Sequence, residues 1–155
     1  ELGVDKFNTV VVVSGRNYPD ALAGSYLAAK NNAPILMVDS KSSSSVAALN
    51  KYIKANLEAG GKVYILGGTA AVSKSVEGGL KGYTVKRLAG KDRYETNIKV
   101  LNEAGIDKED ILVCSGTGYA DSLSCSATER PILLVGKSLT AAQNNILTKA
   151  KENSV

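Results

Sequence analysis

Apolar and polar positions alternate along the chain in a way that predicts strands followed by helices. Thr9 to Ser14 is a β-branched apolar run, and Pro19-Asp20 then opens a segment with apolar residues at helical spacing. Pro34 to Val38 is continuously apolar, as expected for a strand buried on both faces of a parallel sheet. A serine cluster from Ser42 to Ser45 separates this run from the next helical stripe. The pattern therefore predicts a strand, a helix and a second strand in succession.

The rest of the first half continues the alternation. Gly60-Gly61 is expected to end a helix, because glycine commonly follows the last helical residue. The sequence predicts a helix, a strand, a short helix and a further strand at Val46–Leu57, Lys62–Leu66, Ala70–Leu80 and Tyr83–Leu88. Strands that alternate with helices favour an α/β fold, a mainly parallel sheet flanked by helices.

A second cycle of the same kind begins near Gly90. Asp92 and Glu95 have the spacing of a capping box, which predicts the start of a helix that extends to about Glu103. Further elements follow in order: a strand at Asp110–Ser115, a helix, a strand at Pro131–Val135, and a last helix capped by Thr140 with Gln143.

The chain repeats itself. The segment from Val11 to Val38 reappears as Leu112 to Val135, including Ser-Gly, Tyr, Asp, Leu and Pro-Ile-Leu in the same order. The second copy is shorter by about one helical turn, a change that a helix absorbs without rotating its apolar face. We therefore predict tandem modules with a boundary near Arg87. Residues 1–87 form the C-terminal part of one module, and residues 88–155 form the N-terminal part of the next.

Composition and charge limit the partners. The sequence is 44% hydrophobic and 22% charged, an ordinary composition for a folded globular domain. No segment resembles a signal peptide or a membrane-spanning run, so we expect no membrane partner for this segment. Lys and Arg outnumber Asp and Glu by 19 to 15, and these charges are scattered. Scattered charge favours mild attraction to polyanions over nucleic-acid binding.

The chain contains no histidine. The commonest general base, the Ser-His triad and the usual zinc ligands are therefore missing, and we predict no enzymatic activity, no metal and no cofactor. Cys114 and Cys125 stand where the first copy has Val13 and Gly24. The simplest interpretation is two small buried side chains, although a disulfide between them stays open at this level.

Four motifs in a fixed order carry a family resemblance. They are S-G-x-x-Y-x-D-[AS]-L in both copies, P-I-L-[LM]-V in both copies, V-Y-I-L-G-G-x-x-A-V-S at Val63–Ser73, and R-L-A-G-K-D-R-Y-E-T at Arg87–Thr96. Together they cover essentially the whole chain, which resembles the type two cell-wall-binding repeat of Gram-positive surface proteins. The resemblance implies compact α/β modules, usually three, packed about a pseudo-threefold axis.

The resemblance also implies a function. Such repeats anchor a secreted surface protein to the cell wall without a covalent bond, so the expected partners are an anionic secondary cell-wall polymer and neighbouring modules. The family's suggested polymer-binding element is its proline-isoleucine-leucine-leucine motif. Here the motif corresponds to Pro131, Ile132, Leu133 and Leu134, and in the first copy to Pro34, Ile35, Leu36 and Met37. We add three charged candidates near helix starts, Asp92, Arg93 and Asp121.

Each candidate has a structural alternative. Pro131 to Val135 is equally consistent with a buried central strand, and in one strand Leu133 and Leu134 must point to opposite faces. Asp20 and Asp121 suit the first turn of a helix, where a carboxylate is favoured by the helix dipole. Arg93 is suited to pairing either with an acidic neighbour or with an anionic ligand.

Two other functions compete with wall binding. Ser14-Gly15, Gly67-Gly68-Thr69 and Ser115-Gly116 follow predicted strands, where α/β enzymes bind nucleotides and phosphates. None of them completes a phosphate-binding fingerprint, and Pro131 replaces the glycine that a loop ending at Gly136-Lys137-Ser138 requires. A purely architectural tile that assembles with neighbours is the other alternative. An enzyme would show turnover, a wall-binding module would be retained on polymer, and an architectural tile would do neither.

Overall fold

The computed structural model describes residues 6–16, 18–106, 110–118 and 120–152. Strands and helices alternate through both copies of the repeat, which confirms the α/β prediction. The elements are β1 Phe7–Ser14, α1 Tyr18–Lys30, β2 Ile35–Val38, α2 Ser43–Asn56, β3 Leu57–Leu66, α3 Lys74–Gly78, β4 Thr84–Leu88, α4 Arg93–Ala104, β5 Leu112–Ser115, α5 Ala120–Ser126, β6 Ile132–Val135 and α6 Ala141–Glu152. Within these ranges no helix is long and apolar enough to cross a membrane.

The strands form two parallel sheets. The first sheet has four strands in the order β2-β1-β3-β4, and the second has two, β5 and β6. The copies share one pairing register, because Val11 lies opposite Ile35 in the first sheet and Leu112 lies opposite Ile132 in the second. The sequence repeat is therefore also a repeat of strand pairing.

Helices cover both faces of the four-stranded sheet. Residues of α2 and α3 pack on one face, where Val12, Ile53 and Ile65 are fully buried. Residues of α1 and α4 pack on the other face, around Val13 and Leu27. These two helices also contact β6 of the second sheet, so they lie between the two sheets.

Side-chain caps fix the starts of three helices. Ser42 accepts a hydrogen bond from the Ser45 amide at the start of α2. Asp92 Oδ1 accepts one from the Glu95 amide at 2.8 Å at the start of α4. Thr140 and Gln143 exchange two hydrogen bonds at the start of α6, which confirms the predicted box there. Each cap satisfies amide groups that the first helical turn leaves unpaired.

The predicted end of α2 is wrong. The helix ends at Asn56, and Leu57 already has an extended backbone and belongs to β3. Leu57 is 1% exposed and packs in the core of the sheet. Its burial there favours the extended conformation of β3 over another turn of helix. Gly60 instead lies inside β3 with a φ of +74°, near a shift in register against β1.

Two further predictions differ in extent. The short helix α3 occupies only Lys74–Gly78 of the predicted Ala70–Leu80. The helix predicted in both copies is present, with 13 residues in α1 and 7 in α5, so the second copy is the shorter one as expected.

The strand β2 is an edge strand, and the prediction that both of its faces are buried is wrong. It pairs only with β1, and Val38 is its one fully buried residue. Met37 is 66% exposed. A continuous apolar run is typical of central strands, but the run does not determine whether other elements cover the strand.

Candidate functional site

A crevice of the first sheet lies where the strand order changes direction. The chain leaves β1 for β2 on one side of it, and β3 then pairs on the other side. Open α/β sheets bind ligands at such a point, beyond the carboxyl ends of the strands. A cavity of about 350 Å³ opens there, lined by Asp20, Gly67, Gly68, Ala70, Ala71, Gly90, Lys91, Asp92, Arg93 and Thr96.

Asp20 is a buried residue that lines this crevice. It lies in the first turn of α1, as predicted, and is only 5% exposed. Burial raises the pKa of its carboxyl group, and the nearby charge of Arg93 opposes that rise. The carboxylate also explains a glycine: a Cβ at Gly67, where φ is +96°, would lie 2.5 Å from Asp20 Oδ2.

The start of α4 supplies the charged rim. Lys91 and Asp92 are exposed, and Arg93 is half-buried. The Asp92 carboxylate is already engaged as the helix cap. Arg93 donates from Nη1 to the Gly116 carbonyl oxygen at 2.7 Å, which ties α4 to the loop after β5. Arg93 thus stands between the two copies, with a hydrogen bond to one and an electrostatic interaction with Asp20 of the other.

A second recess adjoins the crevice along Ala70 and Ala71. It measures about 360 Å³ and is bordered by Ser14, Arg16, Asp39, Ser40 and Lys41. Arg16 Nη2 lies 2.7 Å from Asp39 Oδ2, and its hydrogen bond holds the pKa of Asp39 below the usual range. The recess therefore contributes a paired cation and a lysine to this edge of the sheet.

In the second copy the proline-isoleucine-leucine-leucine motif is buried. Pro131, Ile132, Leu133 and Leu134 are all inaccessible, and the last three are exposed by 1% or less. Leu133 packs with Tyr26, Leu101 and Ile146, whereas Leu134 packs with Cys114 and Ile132 in a separate cluster. The two leucines thus point to opposite faces of β6, and each face is covered.

Two side-chain amides also satisfy the outer backbone edge of β6. Asn97 of α4 donates to the Ile132 carbonyl oxygen and accepts from the Leu134 amide, both at 2.8 Å. Gln143 of α6 donates to the Leu134 carbonyl oxygen at 2.8 Å. Both side chains are buried, so they protect an edge that would otherwise present unpaired backbone groups.

The first copy of the motif is open by comparison. Pro34, Ile35 and Leu36 are half-buried, and Met37 is exposed. Its strand lies at the edge of the four-stranded sheet. The same motif is therefore partly accessible in one copy and inaccessible in the other.

The structure brings together only part of the predicted site. Asp92 and Arg93 join the crevice, whereas β6 lies in the second sheet and is covered. Asp121 falls within α5, and its side chain lies outside the described residues. The polymer-binding role of all these residues stays a prediction. Sequence reasoning missed that Asp20, Gly67 and Lys91 share one crevice, although the Gly-Gly pair after a strand was a signal for it.

In the described ranges, no group of three or more acidic or cysteine side chains could hold a metal ion.

A family model, cell wall binding domain 2 (CWB2), matches residues 2–77 and again residues 87–154. The chain belongs to this family. The two matches confirm the resemblance and the tandem repeat, while the module boundary near Arg87 stays a prediction.

Two sequence relatives are much longer than this chain. The amidase enhancer of Bacillus subtilis (strain 168) is 29% identical over 150 residues, which cover 96% of this chain and 18% of that protein. The N-acetylmuramoyl-L-alanine amidase LytC of the same strain is 31% identical over 148 residues, covering 90% of this chain and 29% of that protein. The chain thus spans less than a third of these relatives.

Two solved structures are similar to this chain over most of its length. Cwp8 from Clostridium difficile superposes with a TM-score of 0.81 at 30% identity, covering 92% of this chain and 25% of that one. Cwp6 from Clostridium difficile gives 0.74 at 26% identity, covering 94% and 24%. This CWB2 chain is a cell-wall-binding unit of a secreted, surface-associated protein.

Proposed function

We propose that the chain anchors a surface protein to the wall by binding an anionic secondary cell-wall polymer, without catalysing a reaction. Membership of the CWB2 family supports wall binding. The observation that carries the finer proposal is the crevice beyond β1 and β3, where Lys91, Arg93 and the start of α4 surround a buried carboxylate.

The rim of this crevice suits an anion. Lys91 is an exposed cation, and Arg93 lines the cavity while its Nη1 donates to the Gly116 carbonyl oxygen. The amide groups of the first turn of α4 carry a partial positive charge, which favours phosphate or carboxylate groups nearby. An acidic polymer is therefore attracted without a dense basic surface.

The part of the crevice around Asp20 suits sugar hydroxyl groups. The Asp20 carboxyl is buried at the cavity wall beside Gly67 and Gly68, which present backbone and no side chain. A carboxylate accepts hydrogen bonds from hydroxyl donors, and it is strongest as an acceptor where water is excluded. We propose that cations select the charged groups of the polymer while Asp20 orients a sugar ring.

The two motif strands contribute differently in this proposal. The residues of β6 are covered, so Leu133 and Leu134 support the site by holding α4 and its Arg93 in place. Met37 and its half-buried neighbours in β2 are accessible and are candidates for direct polymer contact. In this proposal the motif of β6 stabilises the fold around the site, whereas the motif of β2 contacts the polymer directly.

The test is the affinity of the chain for polymer purified from the cell wall, measured by isothermal titration calorimetry. Lys91→Ala should weaken binding about two- to fivefold, the range for one exposed charge. Lys54→Ala is the matched control, because Lys54 is also an exposed lysine but lies at the far end of α2, near the amino end of β3. Equal affinity of both variants would place the site elsewhere.

Salt and activity measurements address the competing functions. Affinity should fall as salt rises, because charges on the surface are screened over about 10 Å at 0.1 M ionic strength and about 3 Å at 1 M. Turnover of polymer or nucleotide that persists after repurification would favour an enzyme. If neither binding nor turnover occurs, even in the intact multi-module protein, an architectural tile is the better description.

A further inference from the structure

The second copy of the repeat contains a pair of neighbouring thiols. Cys114 lies in β5 and Cys125 lies near the end of α5, eleven positions later in the chain. Their sulfur atoms are 3.2 Å apart, and no disulfide joins them. A bond between them requires the two sulfurs to approach by about 1 Å, since a disulfide measures about 2.05 Å.

The two thiols differ in their access to solvent. Cys114 is 5% exposed, and it packs in an apolar cluster with Ile132 and Leu134. Cys125 is half-buried at the margin of the same cluster. A reagent dissolved in water therefore reaches Cys125 first. The Cys114 sulfur is buried and lies 3.2 Å from the Cys125 sulfur. This is the arrangement of a reactive cysteine beside a resolving cysteine.

The first copy shows that the pair is not required by the fold. Its equivalent positions are Val13, which is fully buried, and Gly24. A Cβ at Gly24 would lie 2.5 Å from Leu66 Cδ1, so a side chain there would require the buried Leu66 to shift. The packing of α1 on its sheet thus disfavours a second thiol, whereas α5 accommodates one.

We propose that Cys114 and Cys125 form an oxidisable pair that a peroxide converts to a disulfide. The Cys125 sulfur attacks one peroxide oxygen, the oxygen–oxygen bond breaks, and a sulfenic acid and one water (or alcohol) form. The Cys114 sulfur then attacks the Cys125 sulfur, displaces the hydroxyl as water and loses its proton. Two thiols and one hydrogen peroxide thus give one disulfide and two waters.

The new bond links α5 to β5. The loop between them is short, and a crosslink of this kind restricts the unfolded chain more than the folded one. The bond also fixes the helix that carries Asp121, one of the charged candidates for polymer contact. Oxidation at the cell surface would therefore rigidify the second copy and leave the first unchanged.

The experiment treats the whole chain in its native state with hydrogen peroxide in slight excess. Intact mass should fall by two hydrogens, the count of reactive thiols should drop from two to none, and peptide mapping should join Cys114 to Cys125. The melting temperature should rise by roughly 5 to 10 °C, as expected for a short crosslinked loop. Dithiothreitol should reverse all of these changes.

Single variants test the order of the two steps. In Cys114→Ser the resolving thiol is missing, so Cys125 should accumulate sulfenic acid that dimedone traps. In Cys125→Ser the remaining thiol is buried and should react much more slowly with peroxide. Dimedone labelling of Cys125→Ser at the rate of Cys114→Ser would overturn the assigned order.

Other outcomes would overturn the pair itself. These are a disulfide between two chains in place of one within the chain, oxidation of wild-type Cys125 to sulfinic acid with no disulfide, or two thiols that stay unreactive in the folded protein. Melting of each variant before oxidation establishes that it is folded, so failure to react is informative.

Discussion

The two copies of the proline-isoleucine-leucine motif have nearly the same sequence and opposite environments. In β2 the motif lies at the edge of a four-stranded sheet, and Met37 is 66% exposed. In β6 the equivalent Leu134 is 1% exposed, although this strand has only one sheet neighbour. Strand sequence and pairing register are shared, so neither explains the difference in burial.

The helix α4 accounts for much of the difference. It precedes β5, and it places Tyr94 against the cluster around Leu134 and Asn97 along the outer edge of β6. The helix α4, which begins inside the segment R-L-A-G-K-D-R-Y-E-T, therefore covers the motif strand of the copy that follows it. Exposure of the motif is set by the neighbouring elements, and the motif alone does not reveal whether it is a surface or a core.

The largest expected effect comes from truncating the motif at equivalent positions. Leu134→Ala should lower the free energy of unfolding by about 2 to 5 kcal/mol, because it removes a buried side chain and leaves a cavity. Met37→Ala should change it little, since most of that side chain is already in water. Urea unfolding followed by circular dichroism measures both.

Measurements of polymer binding give a second comparison of Met37→Ala with Leu134→Ala. If β2 contacts polymer, Met37→Ala should weaken polymer binding without altering the unfolding midpoint. Leu134→Ala should lose binding only in proportion to the fraction of unfolded chain. A stable Leu134→Ala protein that no longer binds would show that β6 presents a ligand surface, and it would reverse our assignment of roles.

The second prediction concerns the two hydrogen bonds that Asn97 makes to the outer edge of β6. Asn97→Leu leaves the Ile132 carbonyl and the Leu134 amide without partners, at about 1 to 3 kcal/mol for each buried group. Urea unfolding should detect the loss. Hydrogen exchange should become faster at the Leu134 amide.

Asn102→Leu is the matched control for this change. Asn102 lies on the same helix and is exposed, so its replacement should leave both unfolding and exchange nearly unchanged. Equal destabilisation by the two variants would mean that leucine disturbs α4 itself, and the edge would then not explain the burial of β6.

Sequence patterns predicted the elements well and their environments poorly. Parallel pairing, the capped starts of α4 and α6, and opposite faces for Leu133 and Leu134 follow from local rules of spacing. The edge position of β2 does not, because an apolar run has no signal for how many neighbours a strand has. Strand order places Asp20 beside Gly67 and Arg93, and that order is a property of the whole chain.

The third prediction concerns Asp20, whose position in the first copy corresponds to Asp121 in the second. Burial raises the folded-state pKa of Asp20 above its value in the unfolded chain, so the folded protein binds its proton more tightly. The carboxyl therefore disfavours folding at neutral pH, and this penalty disappears as the pH falls through the folded pKa towards the unfolded one, near 4.

Asp20→Asn tests that sign. The wild-type protein should gain stability relative to the variant as the pH is lowered from 7 to 4, in unfolding curves measured at matched ionic strength. Asp121→Asn provides the comparison between copies. A stability difference between wild type and Asp20→Asn that does not change with pH would show that this carboxyl has the same pKa in both states.

The smallest effect is expected at the surface ion pair that only the first copy has. Arg16 and Asp39 correspond to Thr117 and Gly136 in the second copy, where no such pair is possible. The Arg16 side chain is 63% exposed, so water and salt screen its attraction to Asp39, and holding two side chains together opposes what remains. Arg16→Thr should therefore leave the urea midpoint unchanged within error at both 0.05 M and 0.5 M salt. A clear loss of stability at low salt that vanishes at high salt would show that the pair helps to hold β2 at the sheet edge, and the open strand would then owe its position to charge as well as to pairing with β1.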